Sequence, residues 1–211
     1  MKKVLLIGII LFSLKSCSLE DSTSYFESFG VVKKFETGTL YIQDDDGVTL
    51  IPNTSIASFV EEGDRVWSSF TIESENANKD TLTIVSYRIT KIVAKSLQDE
   101  TDMPDVGIDL WNAWIAQGFL TFDFRIRTED QSLIKNHEYA IERKEFREDT
   151  LQIRLKHDSK GDDWGILCRT SLALKLNDFR NVRDSVIIAI DYKDLNGAEK
   201  TIYRTYKSKK D

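Results

Sequence analysis

The chain has 211 residues, 41% hydrophobic and 10% aromatic, enough for one large or two small domains with apolar cores. Its 29 basic and 35 acidic residues give a formal net charge of −6. That argues against a general nucleic-acid binder and against electrostatic docking on anionic lipid, both of which need clustered positive charge. Only two prolines are present, which excludes low-complexity stalks.

Lys2 and Lys3 form a basic region ahead of an apolar run of 11 residues, 4–14. A helix needs about 20 apolar residues to cross a hydrocarbon core, so this run is too short to span one. A short apolar core with a basic flank and a small residue before the cut is a signal-peptide pattern. Leu14-Lys15-Ser16-Cys17 supplies the bulky aliphatic, the small residue and the cysteine of a lipoprotein cleavage signal; Lys15 departs from it, standing where a small or neutral residue is usual. The expectation is that residues 1–16 are discarded and Cys17 becomes a lipidated N-terminus. The alternative is an ordinary secretory signal that leaves Cys17 in a flexible tail. The discarded segment holds Lys2, Lys3, Lys15 and no acid, so the mature charge is −9. One acyl chain binds a bilayer only marginally, and bacterial lipoproteins resemble one another in carrying three. With Cys17 so used, Cys168 has no partner for a disulfide. Ser18-Leu19-Glu20-Asp21-Ser22 resembles the acidic surface-export signal of Bacteroides-group lipoproteins, interrupted at Leu19; the plain alternative is a solvated tether. The implied location is the outer membrane, lipid-anchored at the cell surface, with a periplasm-facing orientation as the alternative.

After a tether over residues 17–26, period-2 patterning begins and continues almost to the end. Strands are expected at 29–35, 40–43 and 48–51, the last two joined by a hairpin at Asp44-Asp45-Asp46-Gly47. Residues 55–62 form a short helix or turn, closed by Gly63-Asp64. A fourth strand, 65–72, places Val66, Ser68, Phe70 and Ile72 on one face and Arg65, Trp67, Ser69 and Thr71 on the other. A long fifth, 81–94, changes parity after Ile84, which suggests a bulge. Five strands in this order predict an OB-type Greek-key barrel over residues 27–98.

Residues 95–106 are polar, acidic and contain Pro104, a domain boundary. A second alternating set follows. Phe122, Phe124 and Ile126 face one way and Thr121, Asp123, Arg125 and Arg127 the other. Further strand faces are His137/Tyr139/Ile141, Leu151/Ile153/Leu155, Leu172/Leu174/Leu176 and Val186/Ile188/Ile190. A hairpin at Asn196-Gly197 leads into a last strand, 202–206. Strands with one wet face each predict an antiparallel β-sandwich over residues 104–208. Trp111 and Trp114 sit on a short helix or straddle a bend. The fold class is thus all-β, barrel then sandwich.

The candidate chemistry is thin. His157-Asp158 with Asp162 and Asp163 is the one acidic cluster beside a histidine, and 158–163 vaguely follows a calcium loop. It lacks the closing glutamate and carries Lys160, so a polar connecting loop is the plainer reading. Asp44-Asp45-Asp46 is explained by a hairpin tip without a metal. Cys168 has no histidine nearby in sequence to lower its pKa, and reads as buried filler rather than a nucleophile. Trp67, Trp111, Trp114 and Trp164 are dispersed and read first as core or inter-domain packing. Trp164, between Asp163 and Gly165 in a loop, is the best single ligand-binding candidate. No nucleophile elbow or phosphate loop is present, and no metal or cofactor is expected.

The layout resembles the NigD-like lipoproteins of the Bacteroides group. The resemblance rests on residues 2–17, on the barrel run ending in Gly63-Asp64-Arg65-Val66, and on the second-domain pattern. That pattern comprises Trp111-Asn112-Ala113-Trp114, Gly118-Phe119-Leu120-Thr121-Phe122, His137, Leu155-Lys156-His157-Asp158 and Gly161-Asp162. It implies a barrel-plus-sandwich lipoprotein associated with bacteriocin gene clusters, and no site residues that transfer position by position. The expectation is a non-enzymatic binding or protective module, of the bacteriocin-immunity kind, meeting the membrane through its lipid and an unknown protein or glycan through its β surface. The alternative is a glycan-binding surface lipoprotein.

Overall fold

The structure is a computed structural model that describes residues 25–176 and 185–207. The expected signal segment and Cys17 lie outside the described residues.

Five strands make the first domain: β1 (Phe26–Lys34), β2 (Leu40–Asp44), β3 (Thr49–Pro52), β4 (Arg65–Glu75) and β5 (Thr81–Lys91). They close into a barrel in the order β1-β2-β3-β5-β4, with β1 pairing back onto β4. The pairs are antiparallel except β3 with β5. Closure leaves no unpaired barrel edge. Val32, Ile42, Leu50, Val66, Phe70 and Ile84 fill the interior, as the alternation predicts. The helix-or-turn segment is a turn: the Val60 amide donates to the Ile56 carbonyl at 3.3 Å, and both side chains plug the barrel. In the β2–β3 hairpin, Asp44 Oδ1 accepts the amides of Asp46 and Val48 at 3.0 and 2.7 Å. Gly47 takes the left-handed conformation this turn demands, φ 91°. The bulge in β5 falls at Tyr87, where the register slips between Ser69/Arg88 and Phe70/Ser86, later than the parity change suggests.

The second domain has two facing sheets. One is β13-β12-β10-β9 and the other β6-β11-β8-β7. Its strands are β6 (Val93–Lys95), β7 (Asp109–Ala116), β8 (Phe119–Thr128), β9 (Glu138–Arg147), β10 (Thr150–Asp158), β11 (Ile166–Lys175), β12 (Ser185–Lys193) and β13 (Glu199–Lys207). A 3-10 helix, Gln131–Asn136, links β8 to β9. The sandwich is antiparallel except at two pairs, β10 with β12 and β6 with β11. β6, which continues straight from the barrel's last strand, is therefore an edge of the second domain's sheet. Phe122, Phe124, Ile126, Leu151, Ile153, Leu155, Leu172 and Leu174 meet in one core. Burying each such side chain contributes about 1.5–3 kcal/mol relative to exposure.

The acidic boundary segment is tied down along the sandwich. The Gln98 amide donates to the Ile141 carbonyl, the Arg143 amide to the Gln98 carbonyl, and the Val106 amide to the His157 carbonyl, at 2.8–2.9 Å. The buried Glu142 carboxylate accepts from the Thr101 amide and hydroxyl at 2.8 and 2.7 Å and pairs with Lys156 at 2.9 Å. Burial alone would raise this carboxyl's pKa, but the Thr101 and Lys156 bonds outweigh it and hold it at about 2.

Trp111 and Trp114 both lie on strand β7. The register slips between Leu110 and Asn112, so Trp111 is an extra, bulged residue. Without that bulge, residues three apart would point to opposite faces. With it, Leu110, Ala113 and Ile115 pack into the sandwich core, while both tryptophans contact groups on its outer side.

Candidate functional site

The outer face of β8 and β11 is not wet throughout. The barrel docks on part of it. Arg65, which opens β4, is 1% exposed at this junction. Its two terminal nitrogens donate to the two carboxylate oxygens of Asp45, each at 2.5 Å, and its Nε donates to Thr121 Oγ1 of β8 at 3.0 Å. The guanidinium lies between the rings of Phe29 and Phe119, 5.9 Å from each centroid. Trp114 Nε1 donates to Asp45 Oδ2 at 2.6 Å, and its ring meets Phe29 edge-on at 4.8 Å. Val31, Ile92, Phe119 and Ala173 close the junction with apolar contacts. A bidentate Arg–carboxylate pair is both strong and geometrically exacting, so this junction fixes barrel and sandwich in one arrangement.

Beside the junction a cleft with a volume of about 1070 Å³ opens between the two domains. Trp67, Arg88 and Lys91 line it from the barrel, Lys135 and Arg169 from the sandwich. Trp67 is half-buried, and its Nε1 is withdrawn from solvent without an acceptor. Arg169 pairs with Asp123 at 2.9 Å and with Glu27 at 3.1 Å, and Lys91 pairs with Asp64 at 2.8 Å. Arg88 lies 5.9 Å from the Trp67 ring centroid. Neither Arg88 nor Lys135 has an ion-pair partner among the described residues.

The two histidines, which the sequence leaves on separate strands, come together. His137 Nδ1 and His157 Nε2 are 2.8 Å apart, one ring donating and the other accepting. His137 Nε2 faces Asp162 Oδ2 at 3.1 Å. Asp162 also accepts from the Thr128 hydroxyl at 2.5 Å and the Glu129 amide at 2.6 Å. The Thr128 bond, helped by those from His137 and Glu129, holds the Asp162 carboxyl below the usual carboxylate range. Burial pushes the His157 pKa down to about 4, the neighbouring His137 adds to this, and the Val106 and Gly107 backbone opposes it. Both rings are buried, and neither lines the inter-domain cleft.

The remaining sequence candidates are placed as follows. Asp158 is held by the Lys160 amide at 2.9 Å and its ammonium at 2.8 Å, while Asp162 of the same loop is bonded outward to Thr128, Glu129 and His137. No group of three His, Cys, Asp or Glu side chains among the described residues is arranged to hold a metal. Asp44 and Asp45 are spent on the hairpin and on Arg65. Cys168 is buried opposite Ile126, and burial raises its thiol pKa. Trp164 is 57% exposed, away from the cleft; the tryptophan at the cleft is Trp67. Trp111 lies over Arg125, 4.3 Å from the guanidinium.

The roles of Arg65 and Glu142 were not legible in the sequence. The one signal for Arg65 is that it shares a strand face with Trp67. A cation beside a tryptophan on a barrel strand is compatible with either a wet face or a second domain.

The fold and junction define a class of protein: an OB-type barrel docked through a buried Arg–carboxylate pair onto a β-sandwich. The family model for the NigD-like C-terminal beta sandwich domain matches residues 88–206, and the chain belongs to that family. Its fold is similar to that of a NigD-like immunity protein from Bacteroides caccae, with TM-score 0.67 and 18% identity over 86% of this chain and 96% of that one. It is also similar to a protein described as a lipoprotein from Bacteroides fragilis, with TM-score 0.67 and 12% identity over 89% of this chain and 100% of that one. A protein described as toxin-related from Parabacteroides distasonis has TM-score 0.67 and 18% identity over 88% of this chain and 95% of that one. No curated protein matches the chain.

Proposed function

We propose that the chain is a cell-envelope lipoprotein, anchored through Cys17 at the outer membrane, that acts as a non-catalytic binding or protective module of the immunity kind. The observation that carries this reading is how the potentially reactive groups are used. His137 and His157 bond each other, Cys168 is buried, Asp45 is bound to Arg65, and Glu142 is clamped on Thr101. None of these lines the inter-domain cleft. The similarity to a NigD-like immunity protein and to a protein described as a lipoprotein supports the same reading. A rigid two-domain body on a short tether would present one β surface at a set distance from the bilayer.

Fractionation of cells carrying Cys17→Ala tests the anchor: the protein moves from the membrane to the soluble fraction, and unchanged membrane retention contradicts the proposal. Affinity capture from intact cells with the full chain tests the partner. Recovery of one specific envelope protein is expected for the protective reading. A second reading, glycan binding, is favoured by Trp67 and the cleft between the domains.

A further inference from the structure

We propose that the cleft between barrel and sandwich receives an extended peptide, which adds as a strand to the open edge of β11. This rests on the reading of the chain as a binding module, and it makes the partner a polypeptide recognised through its backbone.

The first observation is an unpaired edge. β11 pairs with β8 along its whole length, but on its other side β6 pairs only with Leu172, Ala173 and Leu174. The Leu176 amide donates to the Gly118 carbonyl at 2.9 Å, in line with the β8 register, which runs without a shift. Residues opposite each other in an antiparallel pair alternate between bonded and non-bonded pairs. The even-numbered residues of β11 therefore bond β8, and the odd-numbered ones turn their N–H and C=O to the other edge. Leu167 and Arg169 each present both groups there, and Ser171 its N–H, with no backbone partner among the described residues. Arg169, Thr170 and Ser171 line the cleft.

The second observation is that the chain itself leaves the place beside this edge open. Continued backwards, the β6 register, with Val93 opposite Leu172, would set 88–92 against 167–171. Those residues are instead drawn into the barrel, where Arg88, Thr90 and Lys91 pair with Ser69, Trp67 and Val66 of β4. The wedge between β5 and β11 is the cleft, about 1070 Å³. At about 3.3 Å per residue the open stretch Leu167–Ser171 is roughly 16 Å long, the length of a short strand.

The third observation is the character of the edge. Native proteins blunt exposed edges with charge or cover them. β13 carries Glu199, Lys200, Arg204 and Lys207, and Gln98 bridges the edge of β9. The open stretch of β11 has neither device: its one charge, Arg169, is held by Asp123 and Glu27. Strand addition draws its affinity from main-chain hydrogen bonds and its specificity from alternate side chains. Val93 shares the inner face of the sheet with its buried neighbour Leu172, yet it is 55% exposed. Inward side chains of an added strand come to Val93 and Ile134 and are apolar; outward ones face the barrel wall at Thr90 and Trp67.

The test adds capped heptapeptides, Thr alternating with Val, Ile or Phe, to the full chain in detergent, followed by calorimetry and residue-resolved amide exchange. In the free protein the Leu167, Arg169 and Ser171 amides exchange quickly and those of Cys168 and Thr170 slowly. At least one peptide binds, slows the three odd-numbered amides at least tenfold and leaves the even-numbered ones as they were. N-methylation of alternate peptide amides abolishes binding in one frame and not in the other. Val93→Glu, at an exposed position, weakens binding at least tenfold with an unchanged melting temperature. The proposal is overturned by no binding of any peptide, by protection that does not alternate, by methylation acting alike in both frames, by equal binding to Val93→Glu, or by maltotetraose binding in the peptides' place. A specific partner captured equally well by Val93→Glu and wild type would leave the binding-module reading standing and remove this site. Cleavage of a bound peptide, read by mass, would instead refute the non-catalytic reading itself.

Discussion

Arg65→Met removes the guanidinium at the domain junction while keeping an unbranched chain between Phe29 and Phe119. The wild-type side chain is fully enclosed, 0% exposed, whereas Asp45 is 17% exposed. The substitution deletes both bonds to Asp45 and the one to Thr121, and leaves a largely covered carboxylate with only the Trp114 N–H at 2.6 Å. Breaking a buried pair by removing one partner costs about 3–5 kcal/mol. Because Asp45 keeps some solvent and one donor, the lower end applies, about 3 kcal/mol. For a chain of this size each kcal/mol moves the melting temperature by about 2–4 °C, so a drop of about 6–12 °C is expected. Differential scanning calorimetry measures it, and the variant should show barrel and sandwich melting as two transitions where the wild type shows one. Adding Asp45→Asn should recover part of the loss, because the stranded charge disappears; contacting residues typically couple by about 0.5–3 kcal/mol. A loss within the ~0.5 kcal/mol of ordinary surface substitutions, or strict additivity of the two changes, would refute the claim that this pair couples the domains.

Two further perturbations test the interior of the sandwich. His157 has a folded pKa of about 4, below its ordinary value of 6.5. The unfolded chain therefore binds the extra proton first. The stability this residue contributes is complete above pH 6.5 and is lost as pH falls towards 4, by roughly 2–3 kcal/mol. Urea unfolding across that window should show this slope, and His157→Asn should flatten it; an equal slope in the variant would contradict the assignment. Glu142→Gln replaces the charge that holds Thr101, Lys156 and Lys144. It should cost about 3 kcal/mol and speed amide exchange across residues 98–106, while exchange in the barrel core stays unchanged.

Much of this architecture is legible in the sequence because the strands obey period 2. Val66/Phe70 and Phe122/Phe124/Ile126 are buried on the faces that the alternation assigns. Both tight hairpins fall where Asp46-Gly47 and Asn196-Gly197 place them, Gly47 and Gly197 each adopting positive φ. What alternation does not encode is what covers a polar face. Thr121 and Asp123 lie opposite the core residues of β8 and read as solvent-facing, yet they are 0% and 6% exposed because the barrel and Arg169 cover them. The three parallel pairings are equally silent in a single strand's pattern, since side-chain period is the same in either direction. Trp111 and Trp114 resisted a strand reading because a bulge shifts the parity between them. The histidine pair was missed because 20 residues separate its members, and nothing local marks β9 and β10 as neighbours with that register.

The anchor is the part of the account with the sharpest chemistry, and it is read directly from the N-terminal peptide of the chain extracted from cell membranes. Mass spectrometry should find a mature protein that begins at Cys17, with residues 1–16 gone and acyl chains on that cysteine. A mature chain that begins elsewhere, or a Cys17 carrying no lipid, would contradict the claim that this protein is a lipid-anchored module of the cell envelope.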